Sequence, residues 1–160
     1  MKIEIDQSGK IEDTQHDTVM AFANGRSRSV RMTGKTKRRL QEIYRQVGKP
    51  NLFVINTFCV AIFLLIKEDL KKLPEIVIDE EYSGYEELIE KILREMINQK
   101  CDPNIVFERV GKSSSAHIVA VETFRRRRKA DEILTFQRIY RESFRIENGR
   151  PTLKYHLPFG

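Results

Sequence analysis

The sequence predicts an α/β protein with five strands, and three observations carry that prediction. Residues 2–6 alternate apolar and polar side chains at the period of a strand, and two further strand-like runs, 16–23 and 27–32, are joined by the strong two-residue turn Asn24-Gly25. After Gly34 the period changes to that of amphipathic helices. Two short runs of β-formers, Ile76-Val-Ile78 and Ile105-Val-Phe107, then return the chain to strand on either side of a helix.

In order, Lys2-Ile-Glu-Ile-Asp6 alternates strictly and Gln7-Ser-Gly9 turns the chain. A second strand covers 16–23 and a third 27–32, so the chain opens as an antiparallel meander. Leu40, Ile43, Tyr44 and Val47 mark a helix that Gly48 and Pro50 stop. Residues 52–72 form an apolar helix closed by Pro74. Its 52–66 stretch is interrupted by Asn56 and Thr57 and is shorter than the roughly 20 residues a membrane span needs, so it belongs in a core. Ser83-Gly84 leads into the cleanest helix, with Leu88, Ile89, Ile92, Leu93 and Met96 on one stripe. A fifth strand spans 104–110. The serines of Gly111-Lys-Ser-Ser-Ser115 suit a helix N-cap, and residues 116–128 read as helix. A shorter helix lies within 131–141, with Thr135 as its cap. The tail forms a hairpin around Asn148-Gly149. Residues 1–142 are one domain, and 143–160 are a hairpin or tail packing on it.

The chain has 160 residues, 40% apolar and 32% charged, enough for one core and ordinary for a globular protein. Its net charge of +6 permits a polyanionic partner without requiring one. Between Gly25 and Gln46 there are eight Lys or Arg against one acid, Glu42, and a second basic block is Arg125-Arg-Arg-Arg-Lys129. Cys59 and Cys101 have no metal-ligand spacing and read as free thiols of a reducing, cytoplasmic compartment. Met1 leads straight into strand-like sequence, with no signal peptide. No nucleotide-phosphate loop or zinc cluster points to another enzyme class.

Two strand-like runs end on acids. The first delivers Asp6, the other Asp79, Glu80 and Glu81. Carboxylates resist burial unless paired, protonated or bound to a metal, so two acid-tipped strands point to a shared metal site. Strand alternation sends Asp79 and Glu81 to one face and Glu80 to the other. Glu81 is the preferred ligand and Asp79 its substitute. His117, near a helix start, is the most diagnostic further candidate.

Three strands, helices, a strand, a helix, a strand and a final helix resemble the ribonuclease H-like superfamily over roughly residues 1–130. The motifs that carry the resemblance are Ile5-Asp-Gln-Ser-Gly9, Ile78-Asp-Glu-Glu-Tyr82 and Ser114-Ser-Ala-His-Ile-Val-Ala120. They look most like the Holliday-junction resolvase and Piwi branches, some of which use His as the last ligand. The resemblance implies a mixed five-stranded sheet flanked by helices. It also implies a magnesium or manganese ion (Mg2+ or Mn2+) held by Asp6, Asp79, Glu81 and His117, with Asp6, Glu81 and His117 catalytic. The usual fourth acid has no obvious counterpart: Glu122 is more than one turn beyond His117, and Asp131 follows the basic run.

The implied activity is metal-dependent hydrolysis of DNA or RNA phosphodiesters, with a two-fold homodimer expected for a junction enzyme and no membrane partner. Arg26, Arg28, Arg31, Lys35, Lys37, Arg38, Lys112, Arg125 and Arg126 are the candidate phosphate contacts. Two other readings stand beside it: a noncatalytic nucleic-acid-binding or assembly module on the same scaffold, and a plain protein-interaction domain.

Overall fold

The computed structural model describes residues 2–98 and 101–155. Three strands, β1 (Lys2–Ser8), β2 (Thr18–Asn24) and β3 (Arg26–Met32), lead into the helices α1 (Gly34–Gln46) and α2 (Phe53–Ile66). The chain continues with β4 (Glu75–Asp79), α3 (Glu86–Ile97), β5 (Asn104–Glu108), α4 (Ser115–Phe124), β6 (Glu132–Ile133) and α5 (Phe136–Ser143). A hairpin of β7 (Phe144–Glu147) and β8 (Arg150–Leu153) follows.

The main sheet is mixed, with strand order β5-β4-β1-β2-β3-β6. β1 pairs antiparallel with β2 and parallel with β4, while β5 extends the parallel side. The expected five strands become six, because β6 adds a parallel edge beside β3 through Val30↔Glu132 and Arg31↔Ile133. Two residues are too few to show an alternation, so the pairing comes from tertiary contact. Asp131 pins it: its carboxylate accepts the Ser29 N–H at 2.8 Å, and its own N–H donates to the Ser29 carbonyl.

The two faces of the sheet differ in kind. Ile3, Ile5, Met20, Phe22, Val30 and Met32 point into the main core, where α2 lies against β2 and β3 and is flanked by α1, α3 and α5. Burial of nearly every side chain of α2 explains its apolar composition all round. It ends at Ile66, and a separate 3-10 turn, Leu70–Lys72, replaces the last turns of the longer helix that its sequence predicts.

The opposite face of β1–β3 carries small or polar residues, among them Ala21, Ala23 and Ser29. That lets α4 approach closely, with Ala116, Val119, Ala120 and Thr123 buried at helical spacing. Gly9 tightens the same packing. Its φ is +83°, and a Cβ there would meet the Phe124 ring at 2.7 Å. Ser114 caps α4 by accepting from Ala116 N–H at 3.2 Å, and Thr135 caps α5 by accepting from Arg138 N–H. α4 stops at Phe124, so the basic run 125–129 is a turn and not the predicted end of the helix.

The hairpin packs back on the domain. Phe144 sits 5.0 Å from the Tyr44 ring, and Tyr155 Oη donates to Glu142 at 3.0 Å. Residues 156–160 of the expected tail lie outside the described residues. Among those described, no helix is long and apolar enough to cross a membrane.

Candidate metal centre

Parallel register builds the site. Ile5 on β1 lies opposite Ile78 on β4, so the next residues, Asp6 and Asp79, reach the same end of the sheet side by side. Just past β4, Glu81 N–H donates to the Asp79 carbonyl at 2.7 Å, a tight turn that folds Glu81 back to the strand end. Glu80 peels away, its N–H donating to the Glu108 carbonyl at 3.1 Å. One carboxylate oxygen each from Asp6, Asp79 and Glu81 lies within 4.8 Å of the other two.

Each acid is held by its surroundings. Asp6 is 4% exposed, and its Oδ1 accepts the Gln7 N–H at 2.8 Å. Its Oδ2 meets His117 Nδ1 at 2.7 Å, where α4 begins. When Asp6 is ionised it only accepts, and Nδ1 is then the donor of this bond. Asp79 Oδ1 accepts the Val110 N–H at 2.7 Å, tying it to the chain beyond β5.

The cluster carries more negative charge than its partners offset. Burial pushes Glu81 up to about 7, and the charges of Asp79 and Asp6 push the same way, with Lys10 opposing. Asp6 is raised as well, by burial first and by the charge of Asp79, against the lowering from the Gln7 N–H and His117. Two close acids with raised proton affinity, Asp6 and Glu81, beside Asp79 favour a cation in place of the proton.

Comparison with protein-family models, characterised proteins and solved structures gives no match to this chain. The chemistry therefore has to come from the donor set. Three close carboxylates are hard oxygen ligands, which suit a hard divalent cation and not a soft metal. His117 reaches the cluster through Asp6 and does not belong to that group of three. Glu122 and Asp131 are likewise outside it, and Asp131 serves β3. A concavity of about 810 Å³ between Lys91, Arg94 and Cys101 holds none of these acids.

The candidate phosphate contacts divide sharply. Lys37 is fully buried, its Nζ donating to the carbonyls of Lys10 (3.1 Å) and Asp13 (2.6 Å) and to Thr18 Oγ1 (2.9 Å). Arg31 is buried as well, bonded to Asp17 at 2.8 Å and to the Thr123 carbonyl. Both are internal ties, which removes them from a phosphate-binding surface. Arg26 pairs with Asp69 at 2.6 Å, and Arg28 with Glu132 at 3.1 Å. Arg38 is exposed but donates to the Thr14 carbonyl, whereas Lys35, Lys112 and Arg125 are exposed. Arg126 reaches Asp17 at 3.4 Å from a largely solvated position.

Two contributors have little signature in the sequence. Lys10 is the cation whose charge bears on Glu81. Tyr82 Oη accepts from Gln7 Nε2 (3.1 Å) and the Ile11 N–H (3.2 Å) and donates to Glu12 (3.1 Å). It thereby clamps the loop that bears Glu81 to the loop that bears Lys10. The only sequence signal for Tyr82 is its place directly after the acids; Lys10 has just the turn-forming Gly9 before it.

Proposed function

We propose that this chain is a divalent-metal-dependent nuclease built on a ribonuclease H-like scaffold. The observation that carries the reading is the parallel pairing of β1 with β4, which sets Asp6, Asp79 and Glu81 within ligand reach of one another with His117 against Asp6. The central place of β1 beside β4, and α4 delivering His117 across the small-residue face, support the family resemblance. Asp6, Asp79 and Glu81 would hold magnesium or manganese. Such an ion supplies Lewis-acid stabilisation of phosphoryl charge and lowers the pKa of an attacking water. The chain's own residues orient the site: the Gln7 and Val110 N–H groups fix Asp6 and Asp79, and Tyr82 fixes the Glu81 loop. His117 shares its Nδ1 proton with Asp6 and keeps that carboxylate turned toward its neighbours.

The test is cleavage of labelled single-stranded, duplex, hybrid and four-way-junction substrates in Mn2+, Mg2+ or EDTA, beside Asp6→Asn. The expected result is metal-dependent cutting that falls at least 100-fold, as an order of magnitude, in the variant, whose melting temperature stays near wild type. Nucleic acid that is bound but never cut would favour the noncatalytic module instead. That second reading draws on the absence of a fourth carboxylate from the cluster among the described residues.

A further inference from the structure

The basic turn after α4 is a more specific feature than its composition implies. Arg126, Arg127, Arg128 and Lys129 line a cleft of about 580 Å³ against β6, whose wall also includes the buried Arg31, already tied to Asp17 and the Thr123 carbonyl. Two acids, Asp131 and Glu132, also line it, but both are engaged: Asp131 holds the Ser29 N–H, and Glu132 pairs with Arg28 and Arg138. Arg127 and Lys129 are exposed and make no ion pair among the described residues, so the cleft presents uncompensated positive charge.

The turn is also anchored by hydrogen bonds at both ends. Arg126 and Arg127 N–H donate to the carbonyls of Thr123 (3.1 Å) and Glu122 (2.9 Å), closing the end of α4. Arg128 donates to Ser27 Oγ at 2.9 Å, and Asp131 locks the far end to β3. Arg126 takes the left-handed backbone position with φ +63°, where glycine or asparagine is easier to place. A long cationic side chain at a position that favours glycine fits a functional demand more readily than a folding one.

We propose that this cleft is a phosphate-backbone site that grips a nucleic-acid strand away from the acid cluster, with α4 as the spacer between them. This inference rests on the nuclease reading for its ligand. His117 stands in the first turn of α4 and Phe124 is its last residue, so the helix sets them roughly 10 Å apart at 1.5 Å per residue, with the cleft's Arg126 two residues further on. On a duplex, where one strand rises about 3.4 Å per phosphate, that span is about three to four nucleotides. Arginine forks match phosphate oxygens, and every residue lining the cleft except Ala130 and Ile133 is charged.

The test measures binding of a labelled 20-base-pair duplex by the full chain in EDTA, across a salt series, for wild type, R127E/K129E and R127A/K129A, with melting curves for each. The expected result is at least ten-fold weaker binding for the charge reversal and a smaller loss for the alanine pair. The salt slope should fall by roughly 0.9 for each phosphate that the variant no longer neutralises. Unchanged affinity in both folded variants would overturn the site, as would wild type binding an acidic peptide such as polyglutamate but not the duplex. Because metal and cleavage play no part in this assay, failure of the nuclease reading shows separately, as an intact cleft on a protein that never cuts. A second arm places single methylphosphonates along a cleavable strand. The sensitive position should lie three to four nucleotides from the cut, and sensitivity confined to the cut itself would overturn the spacing.

Discussion

At the scale of single residues, Lys37 shows how charge is spent inside the protein. Its ammonium is enclosed and satisfied by two carbonyls of the β1–β2 loop and one hydroxyl of β2. That loop carries Lys10 and Gly9 past the acid cluster and α4, so Lys37 holds in place the chain beside the site. Lys37→Met keeps the aliphatic stem but leaves one buried and two part-buried acceptors without their donor. Each orphaned group costs about 1–3 kcal/mol, although water can reach part of the loop, so we expect a net loss of about 3 kcal/mol. A urea titration should show it as a lower midpoint with an unchanged slope. A midpoint equal to wild type would mean that the loop holds its shape without the ammonium. Exposed pairs such as Arg45–Glu42 at 3.7 Å are worth a few tenths of a kcal/mol at most by comparison.

At the scale of elements, α4 joins two jobs: its first turn brings His117 to Asp6, and its last residue leads into the basic turn. The left-handed Arg126 at that end is strained for a side chain with a Cβ, and its ion pair with Asp17 is too solvated to compensate. Arg126→Gly should therefore stabilise the fold by about 1 kcal/mol, a rise of about 2–4 °C in melting temperature for a chain of this size. The same change should weaken duplex binding. A fall in melting temperature would show that the Asp17 ion pair outweighs the backbone strain. This helix end also marks where the sequence stops being legible. Alternation places β1, runs of β-formers and turn signals place the other four longer strands, and local chemistry places the Thr135 cap and the Asn148-Gly149 turn, because those signals are contained in a few neighbouring residues. The acid-tipped strands are readable for the same reason. What escapes depends on distant parts of the chain. A run of arginines is compatible with helix, so nothing local ends α4 at Phe124, and β6 exists only because Asp131 bonds back to Ser29. Lys37 lies on the polar face of a helix and looks solvated in sequence, until the β1–β2 loop closes over it.

At the scale of the whole molecule, the acid cluster makes stability depend on pH between about 4.5 and 7. Glu81 has a folded pKa of about 7 against an ordinary 4.5, and Asp6 is also raised. Between those values the folded chain binds more protons than the unfolded chain, so stability falls as pH rises through this window. The deficit is complete above pH 7 and absent below the unfolded pKa. The full shift would amount to roughly 3 kcal/mol, and partial solvent screening of Glu81 brings it to about 1–2 kcal/mol. A divalent ion at the cluster would neutralise the same charge, so its stabilising effect should grow with pH. We expect Mn2+ to raise the melting temperature more at pH 8 than at pH 5.5, by about 2–6 °C. Glu81→Gln in EDTA should flatten the decline from pH 5 to pH 8 and remove much of the Mn2+ effect. Parallel pH profiles for wild type and Glu81→Gln would show that repulsion among the three acids is already relieved by water and Lys10. An equal Mn2+ shift at both pH values would place the ion somewhere other than on Asp6, Asp79 and Glu81.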